Sequence, residues 1–91
     1  SKHSEIQEGT IIFHDVVINS AAKIGKNCII NTKCLIEHDV SVGNHCHIST
    51  GTIINGFSKI GDNSFVGSRA LISNSKLLPS NSFVKIGSII T

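Results

Sequence analysis

Five histidines and three cysteines are the side chains of this 91-residue sequence best suited to chemistry near neutral pH. Two of the histidines precede an aspartate, in the dipeptides His14-Asp15 and His38-Asp39. A carboxylate beside an imidazole fixes its tautomer and favours the imidazolium as it forms, as a general base requires. An aspartate at such a place is equally typical of a tight turn. The dipeptides by themselves therefore leave both interpretations open, and nothing in the pattern around them separates one dipeptide from the other.

The elements that must position these residues follow from a repeat of six. Every sixth residue from Ile6 to Ile90 is aliphatic, fifteen positions in all, and thirteen of the fourteen residues four places later are small, Lys76 being the exception. A period of six fits neither an amphipathic helix nor a hairpin sheet, but it is typical of a hexapeptide β-helix. We therefore predict an all-β fold, a parallel β-helix of about five triangular coils over residues 6–91, preceded by a tail of residues 1–5.

A second, longer period of three hexapeptides gives the length of one coil. Two series of positions repeat with this longer period. The first directly follows the inward aliphatic residue. The second lies two places further on and carries asparagine or histidine, which tolerate positive φ and therefore suit a corner. The first series is Gly25, Gly43, Gly61 and Pro79, and the second is Asn27, His45, Asn63 and Asn81. We therefore interpret His45 as a corner residue rather than a catalytic one.

The same pattern argues against a metal site. The cysteines, Cys28, Cys34 and Cys46, occupy the small inward position, whereas His45 and His47 do not, so the His-Cys-His triplet cannot converge on one ion. An odd number of cysteines without zinc-type spacing also disfavours a disulfide framework. We predict that all three thiols fill the core and stay reduced, and that no metal is bound.

Composition excludes several classes of function. Eight Lys and Arg against six Asp and Glu give a net charge of +2, without a basic cluster or an aromatic platform for bases, so we expect no nucleic-acid partner. Apolar runs no longer than three residues exclude a membrane helix and a signal peptide, and we expect a soluble, cytoplasmic protein. Outward apolar residues predict self-association, namely Ile29, Phe65, Leu71 and Phe83. Because the sequence begins with Ser1 rather than Met, we expect it to be part of a longer protein.

Two stretches carry a family resemblance, AKIGKNCIINTKCLIEHDVSVGNHCHIST at residues 22–50 and IINGFSKIGDNSFVGSRALI at residues 53–72. They resemble bacterial sugar acetyltransferases of the sialic acid O-acetyltransferase and UDP-4-amino-sugar N-acetyltransferase type. The most specific pieces are INTKCLIEHD at residues 30–39 and the histidine that follows at His47. The resemblance implies that the β-helix is left-handed, that the protein is a homotrimer and that acetyl-CoA is the acetyl donor.

The resemblance also implies roles for individual residues. His38 matches the general base, and Asp39 matches the acidic residue that strengthens it. Glu37 lies beside them and either touches the acceptor or makes a surface salt bridge. Three further residues match contacts to acetyl-CoA: His47, Gly56 and Ser68. Because Gly56 follows His38 by three hexapeptides, the coil period places it one coil above His38. The resemblance implies that its N–H bonds the thioester oxygen there, and the alternative is that the glycine serves a turn.

The resemblance implies an acetyltransferase that acts on an amine or hydroxyl of a nucleotide-linked sugar, without an acyl-enzyme. The alternatives are O-acetylation of sialic acid or another small molecule, and a non-catalytic β-helix that serves as an oligomerisation module. A γ-type carbonic anhydrase is disfavoured because His38, His45 and His47 lack its spacing, and an ice-binding prism because the threonines form no column. The resemblance also leads us to expect an isolated β-helix domain, since family members carry an amino-terminal nucleotide-binding domain. A family glycine that contacts CoA in the last coil aligns with Ile86.

Overall fold

A computed structural model describes residues 3–91, and every strand in this range is two residues long. The second residue of each strand belongs to the aliphatic series, and four residues connect one strand to the next. The strands are β1 Glu5–Ile6, β2 Ile11–Ile12, β3 Val17–Ile18, β4 Lys23–Ile24, β5 Ile29–Ile30, β6 Leu35–Ile36, β7 Ser41–Val42, β8 His47–Ile48, β9 Ile53–Ile54, β10 Lys59–Ile60, β11 Phe65–Val66, β12 Leu71–Ile72, β13 Leu77–Leu78, β14 Phe83–Val84 and β15 Ile89–Ile90.

The start of the fold lies close to the predicted boundary at residue 6. The strand β1 begins at Glu5, the last residue of the predicted tail, while residues 1 and 2 of that tail lie outside the described residues. Across residues 3–91 there is no helix long and apolar enough to cross a membrane.

The fifteen strands form three parallel sheets of five strands, and each strand pairs with the strands three before and three after it. Sheet A contains β1, β4, β7, β10 and β13; sheet B contains β2, β5, β8, β11 and β14; sheet C contains β3, β6, β9, β12 and β15. Paired residues are three hexapeptides apart, as in Glu5 with Lys23 and Ile29 with His47. The predicted parallel β-helix of five triangular coils is therefore confirmed.

Three corners join the sheets, and each is named by the sheets that it connects. The A/B corner contains residues 25–28 and their equivalents in the other coils, the B/C corner contains residues 31–34 and their equivalents, and the C/A corner contains residues 37–40 and their equivalents. The predicted corner residues of the A/B corner all have positive φ: Asn27 (54°), His45 (57°), Asn63 (58°) and Asn81 (65°). His45 is exposed there, as a corner residue should be.

The aliphatic series forms the core of the prism. Eleven of its fifteen members are buried, and Ile12, Leu78 and Ile90 are half-buried at the two ends. Ile6 departs from the predicted core, with 46% of its surface exposed. It belongs to the first coil, which no further coil covers within the described residues, so an inward direction alone does not bury it.

The small series lies beneath the corners and hydrogen-bonds to them. Cys28 Sγ donates to the Gly43 carbonyl at 3.0 Å, Cys34 Sγ to the Ser49 carbonyl at 2.9 Å, and Thr52 Oγ1 to the Gly67 carbonyl at 3.0 Å. Each donor reaches a carbonyl of the following coil, so one side chain links consecutive coils. The three cysteines are free and buried in the core, as predicted. No group of three metal-ligating side chains is found in the part of the chain that the structure describes.

Candidate functional site

The structure separates the two His-Asp dipeptides that the sequence leaves equivalent. His38 and Asp39 lie at the C/A corner, whereas His14 and Asp15 lie at the B/C corner. Both aspartates have positive φ, 60° and 57°, so the turn interpretation holds for both. Only in the first pair do the side chains meet, with 3.2 Å between His38 Nδ1 and Asp39 Oδ2; among residues 3–91 the second pair makes no such contact. A turn role and an imidazole–carboxylate pair therefore coexist at Asp39.

Two residues of the next coil hold the His38 imidazole in place. Phe57 packs edge-on against it, with the ring centroids 5.2 Å apart and the planes at 82°, and Phe57 N donates to the His38 carbonyl at 3.2 Å. Gly56 lies against the ring itself, since a Cβ at this position would come within 2.8 Å of Nε2. Half of the His38 side chain, 51%, remains exposed. The imidazole is thus fixed on three sides and open to a ligand on the fourth.

The contact with Asp39 assigns the tautomer of His38. An ionised carboxylate accepts hydrogen bonds and donates none, so Nδ1 carries the proton in this contact. In the neutral ring Nε2 then has a free lone pair, on the side of the ring that faces Gly56. This is the protonation state that a general base needs before it accepts a proton.

The backbone N–H of Gly56 is a free donor beside this lone pair. Gly56 accepts from Ser75 N through its carbonyl, but its own N–H has no hydrogen-bond partner among residues 3–91. At the equivalent position of the A/B corner, Lys26 N donates to Asn44 Oδ1 and Asn44 N donates to Asp62 Oδ1, both at 2.8 Å. Within the described part of the chain, this N–H is therefore satisfied at Lys26 and Asn44 but left without a partner at Gly56, which is itself a buried residue.

Glu37 lies beside the base but is engaged with the coil below. Its Oε1 accepts a hydrogen bond of 2.6 Å from Asn19 Nδ2, and within the described range no cation lies within salt-bridge distance of it. The expected surface salt bridge of Glu37 is therefore not formed, and its carboxylate accepts a hydrogen bond from the Asn19 amide instead. A contact between Glu37 and an acceptor stays a prediction.

The remaining residues of the predicted site lie elsewhere on the prism. His47 is on the outer side of sheet B, in register between Ile29 and Phe65, and Ser68 is at the B/C corner. The His47 ring packs edge-on against Phe65 at 5.2 Å, and its Nε2 is a buried nitrogen without a hydrogen-bond partner in residues 3–91. One copy of the chain thus holds two separate groups, and His47 and Ser68 do not meet His38.

Sequence reasoning missed Phe57 as a neighbour of the base. A signal was present, since Phe57 follows Asp39 by three hexapeptides and therefore lies one coil above it. The coil period places the backbone, but whether an exposed aromatic side chain turns towards His38 or towards solvent depends on its rotamer.

Comparison with known proteins gives the family. The family model of the bacterial transferase hexapeptide (six repeats) matches residues 21–56 and 39–74. The chain belongs to this hexapeptide family. Together the two matches cover more than half of the chain, and the confirmed fold is the left-handed parallel β-helix of hexapeptide repeats. No match to a curated protein sequence is found.

Solved structures share this hexapeptide fold. A perosamine N-acetyltransferase variant from Caulobacter crescentus, in complex with CoA and GDP-perosamine, superposes with a TM-score of 0.84 at 21% identity, over 98% of this chain and 45% of that one. The acetyltransferase domain of PglB from Neisseria gonorrhoeae gives a TM-score of 0.71 at 23% identity, over 98% and 46% of the two chains. The chain therefore spans less than half the length of these structures.

Proposed function

We propose that this protein is the β-helix part of an acetyl-CoA-dependent acetyltransferase that acetylates an amine of a nucleotide-linked sugar. The observation that carries the proposal is the His38 imidazole, oriented by Asp39, packed against Gly56 and open to solvent at the C/A corner. Membership of the hexapeptide transferase family supports it, as does the fold shared with an N-acetyltransferase that binds CoA and GDP-perosamine.

The geometry suits direct transfer. As the acceptor nitrogen attacks the thioester carbonyl, His38 Nε2 takes the proton that the nitrogen loses, and Asp39 stabilises the resulting imidazolium through Nδ1. The free Gly56 N–H bonds the oxygen that becomes negatively charged in the tetrahedral intermediate. The carbon–sulfur bond then breaks, and the leaving CoA thiolate takes the proton from the His38 imidazolium, which returns His38 to its neutral form. No side chain of the protein forms a covalent bond in this sequence of steps.

The two separated groups of residues point to a site that is completed by a second copy. In the proposed assembly, a homotrimer, His38 and Gly56 of one protomer face the outer side of sheet B of the next, where His47 and Ser68 lie. The outer sides of sheets B and C carry exposed apolar residues that a partner would cover, Ile11 (55%), Val17 (49%), Phe83 (70%) and Ile89 (65%). The buried, unpartnered Nε2 of His47 is a further polar group available to such an assembly.

The test is acetyl transfer from acetyl-CoA to a panel of UDP-amino sugars, GDP-perosamine and sialic acid. We expect an amino sugar to be acetylated and His38→Ala to lower kcat roughly 10²- to 10⁴-fold, the usual contribution of a general base. His14→Ala, which alters the other dipeptide, is the matched control and should leave kcat unchanged. If His14→Ala inactivates and His38→Ala does not, the proposal is wrong. Transfer to sialic acid alone would assign the O-acetylation alternative, and no transfer at all would favour the oligomerisation module.

A further inference from the structure

A groove of about 310 Å³ follows the outer side of sheet A, next to the C/A corner. On one side it is lined by the outward residues of three neighbouring strands of sheet A, which are Lys23 of β4, Ser41 of β7 and Lys59 of β10. On the other side it is lined by Asp39 and Phe57 of the corner. The volume lies in the range of small-molecule clefts. Asp39 of this lining contacts the imidazole of His38, the proposed general base, so the groove borders the proposed reacting centre.

The two lysines form an unpaired cationic strip. Lys23 pairs in register with Ser41, and Ser41 with Lys59, so the lysine backbones are about 10 Å apart, twice the spacing of adjacent strands. Within residues 3–91 neither ammonium group lies within salt-bridge distance of a carboxylate, whereas Lys26 at the A/B corner pairs with Glu8 at 3.9 Å. Lysine stems are long and flexible, so both ammonium groups can converge on a ligand that lies over Ser41.

The opposite wall combines a strained aromatic residue with a carboxylate. Phe57 has a φ of +65°, a backbone conformation that is costly for a bulky residue. Its side chain is also 56% exposed, so burial of the phenyl ring offsets little of this cost. The aspartate of this wall directs its carboxylate at Nδ1 of His38. The titratable groups that line the groove are thus two ammonium groups and one carboxylate that is already hydrogen-bonded, so the lining carries a net positive charge. The carboxylate of Glu5 lies just outside the lining, in register with Lys23.

We propose that this groove binds a diphosphate group, with Lys23 and Lys59 neutralising its charges, the Ser41 hydroxyl donating between them and Phe57 packing against the attached apolar or sugar moiety. The inference rests on the proposed function, because both substrates of that reaction contain a diphosphate, the nucleotide-linked acceptor and CoA. Two cations on either side of a hydroxyl suit an extended anion with two charged centres better than a single carboxylate.

Binding is tested on the 91-residue protein with UDP and with CoA in separate titrations, and with uridine as the uncharged control. Calorimetry gives the Kd, and ¹⁵N-resolved NMR gives the amides that shift. We expect UDP, CoA or both to shift the amides of Lys23, Ser41 and Lys59, and uridine to leave them in place. Lys23→Gln and Lys59→Gln should each weaken binding roughly tenfold, the value of one charge-assisted hydrogen bond. Lys33→Gln removes an equal charge at the B/C corner and should leave the Kd unchanged.

The UDP titration and the CoA titration distinguish the two possible sources of the diphosphate. Shifts with UDP assign the groove to the acceptor, and shifts with CoA assign it to the donor. If neither molecule shifts these amides, or if Lys33→Gln weakens binding as much as Lys59→Gln, the diphosphate site is overturned. The readout is binding, not turnover, so failure of the groove leaves the role of His38 intact, and an inactive protein that still binds UDP would refute only the proposed reaction.

Discussion

Gly56 lies directly against the imidazole of His38, and a Cβ on Gly56 would stand 2.7 Å from Cε1 and 2.8 Å from Nε2. The equivalent positions one coil below His38 and one coil above Gly56 carry side chains, Ser20 and Asn74. The absence of a side chain at Gly56 is therefore matched to the ring beneath it and is not a general need of this corner.

Gly56→Ala should lower kcat/KM roughly a hundredfold with little loss of stability, because the half-exposed imidazole can rotate away from the new methyl group but then leaves its reactive position. The measurement pairs steady-state acetyl transfer with urea denaturation.

Gly51→Ala is the matched control, for which we expect a loss of stability without a loss of activity. Gly51 has a φ of +71° and lies at the B/C corner, so alanine should reduce the free energy of unfolding by about 1 kcal/mol and leave kcat/KM unchanged. Full activity of the Gly56→Ala variant would refute the close approach of Gly56 to the His38 imidazole.

Asp39→Asn should lower kcat, but by less than His38→Ala, because the amide can donate to Nδ1 and so favour the wrong tautomer. Asparagine tolerates the corner geometry, since Asn27, Asn63 and Asn81 adopt the same positive φ in this chain. The circular dichroism spectrum and the unfolding midpoint should therefore match those of the wild type. An unchanged kcat would show that the carboxylate serves the turn alone.

Mixing His38→Ala with His47→Ala, which we also expect to be inactive, tests whether the proposed site is shared between copies of the proposed trimer. His38→Ala and His47→Ala lie on different faces, so a mixed trimer with sites between protomers contains one intact site. Unfolding and refolding the variants together at equal concentration should restore about a quarter of wild-type activity, since three quarters of the trimers are mixed and one site in three is intact in each. Refolding His38→Ala with Gly56→Ala, which both alter the C/A corner, should restore none. Equal recovery from the two mixtures would contradict a composite site.

The contribution of the buried Cys34 thiol to the stability of the prism should fall at alkaline pH. Burial raises the pKa of Cys34 above its ordinary value of 9.0, and Cys34 Sγ donates to the Ser49 carbonyl. Below about pH 9 the thiol is protonated in the folded and unfolded states; above it the unfolded state alone loses the proton, so the free energy of unfolding falls as pH rises, by at most about 1.4 kcal/mol per pH unit.

Urea titrations at pH 8 and pH 10 measure this decline. Cys34→Ser keeps a donor for the Ser49 carbonyl and does not titrate, so its decline between the two pH values should be smaller than that of the wild type. An identical decline in both proteins would show that Cys34 does not contribute to the pH dependence.

The structural features that repeat from one coil to the next were predicted correctly from the sequence. The aliphatic series, the small series and the positive-φ corner at His45 were all found in place, because strand and turn preferences act over a few residues and recur every six. The exception, Ile6, is exposed because the first coil has neighbours on one side only.

The candidate site was predictable only in part. The coil period places Gly56 above His38, but it leaves the direction of exposed side chains open. The meeting of His38 with Asp39, the edge-on contact of Phe57 and the groove beside Lys59 all depend on rotamers and on hydrogen bonds between coils.

The sequence by itself determined the prism, its coil length and the column in which each residue lies, since a period of six fixes whether a side chain faces the core or the outside. The tertiary structure decided which of two identical dipeptides holds a paired imidazole. His14 and His38 are four hexapeptides apart, which is one coil and one further side, so they lie at different corners under different neighbours. Reactivity depends on those neighbours, because hydrogen bonds and ring contacts act across coils between residues that are distant in the chain.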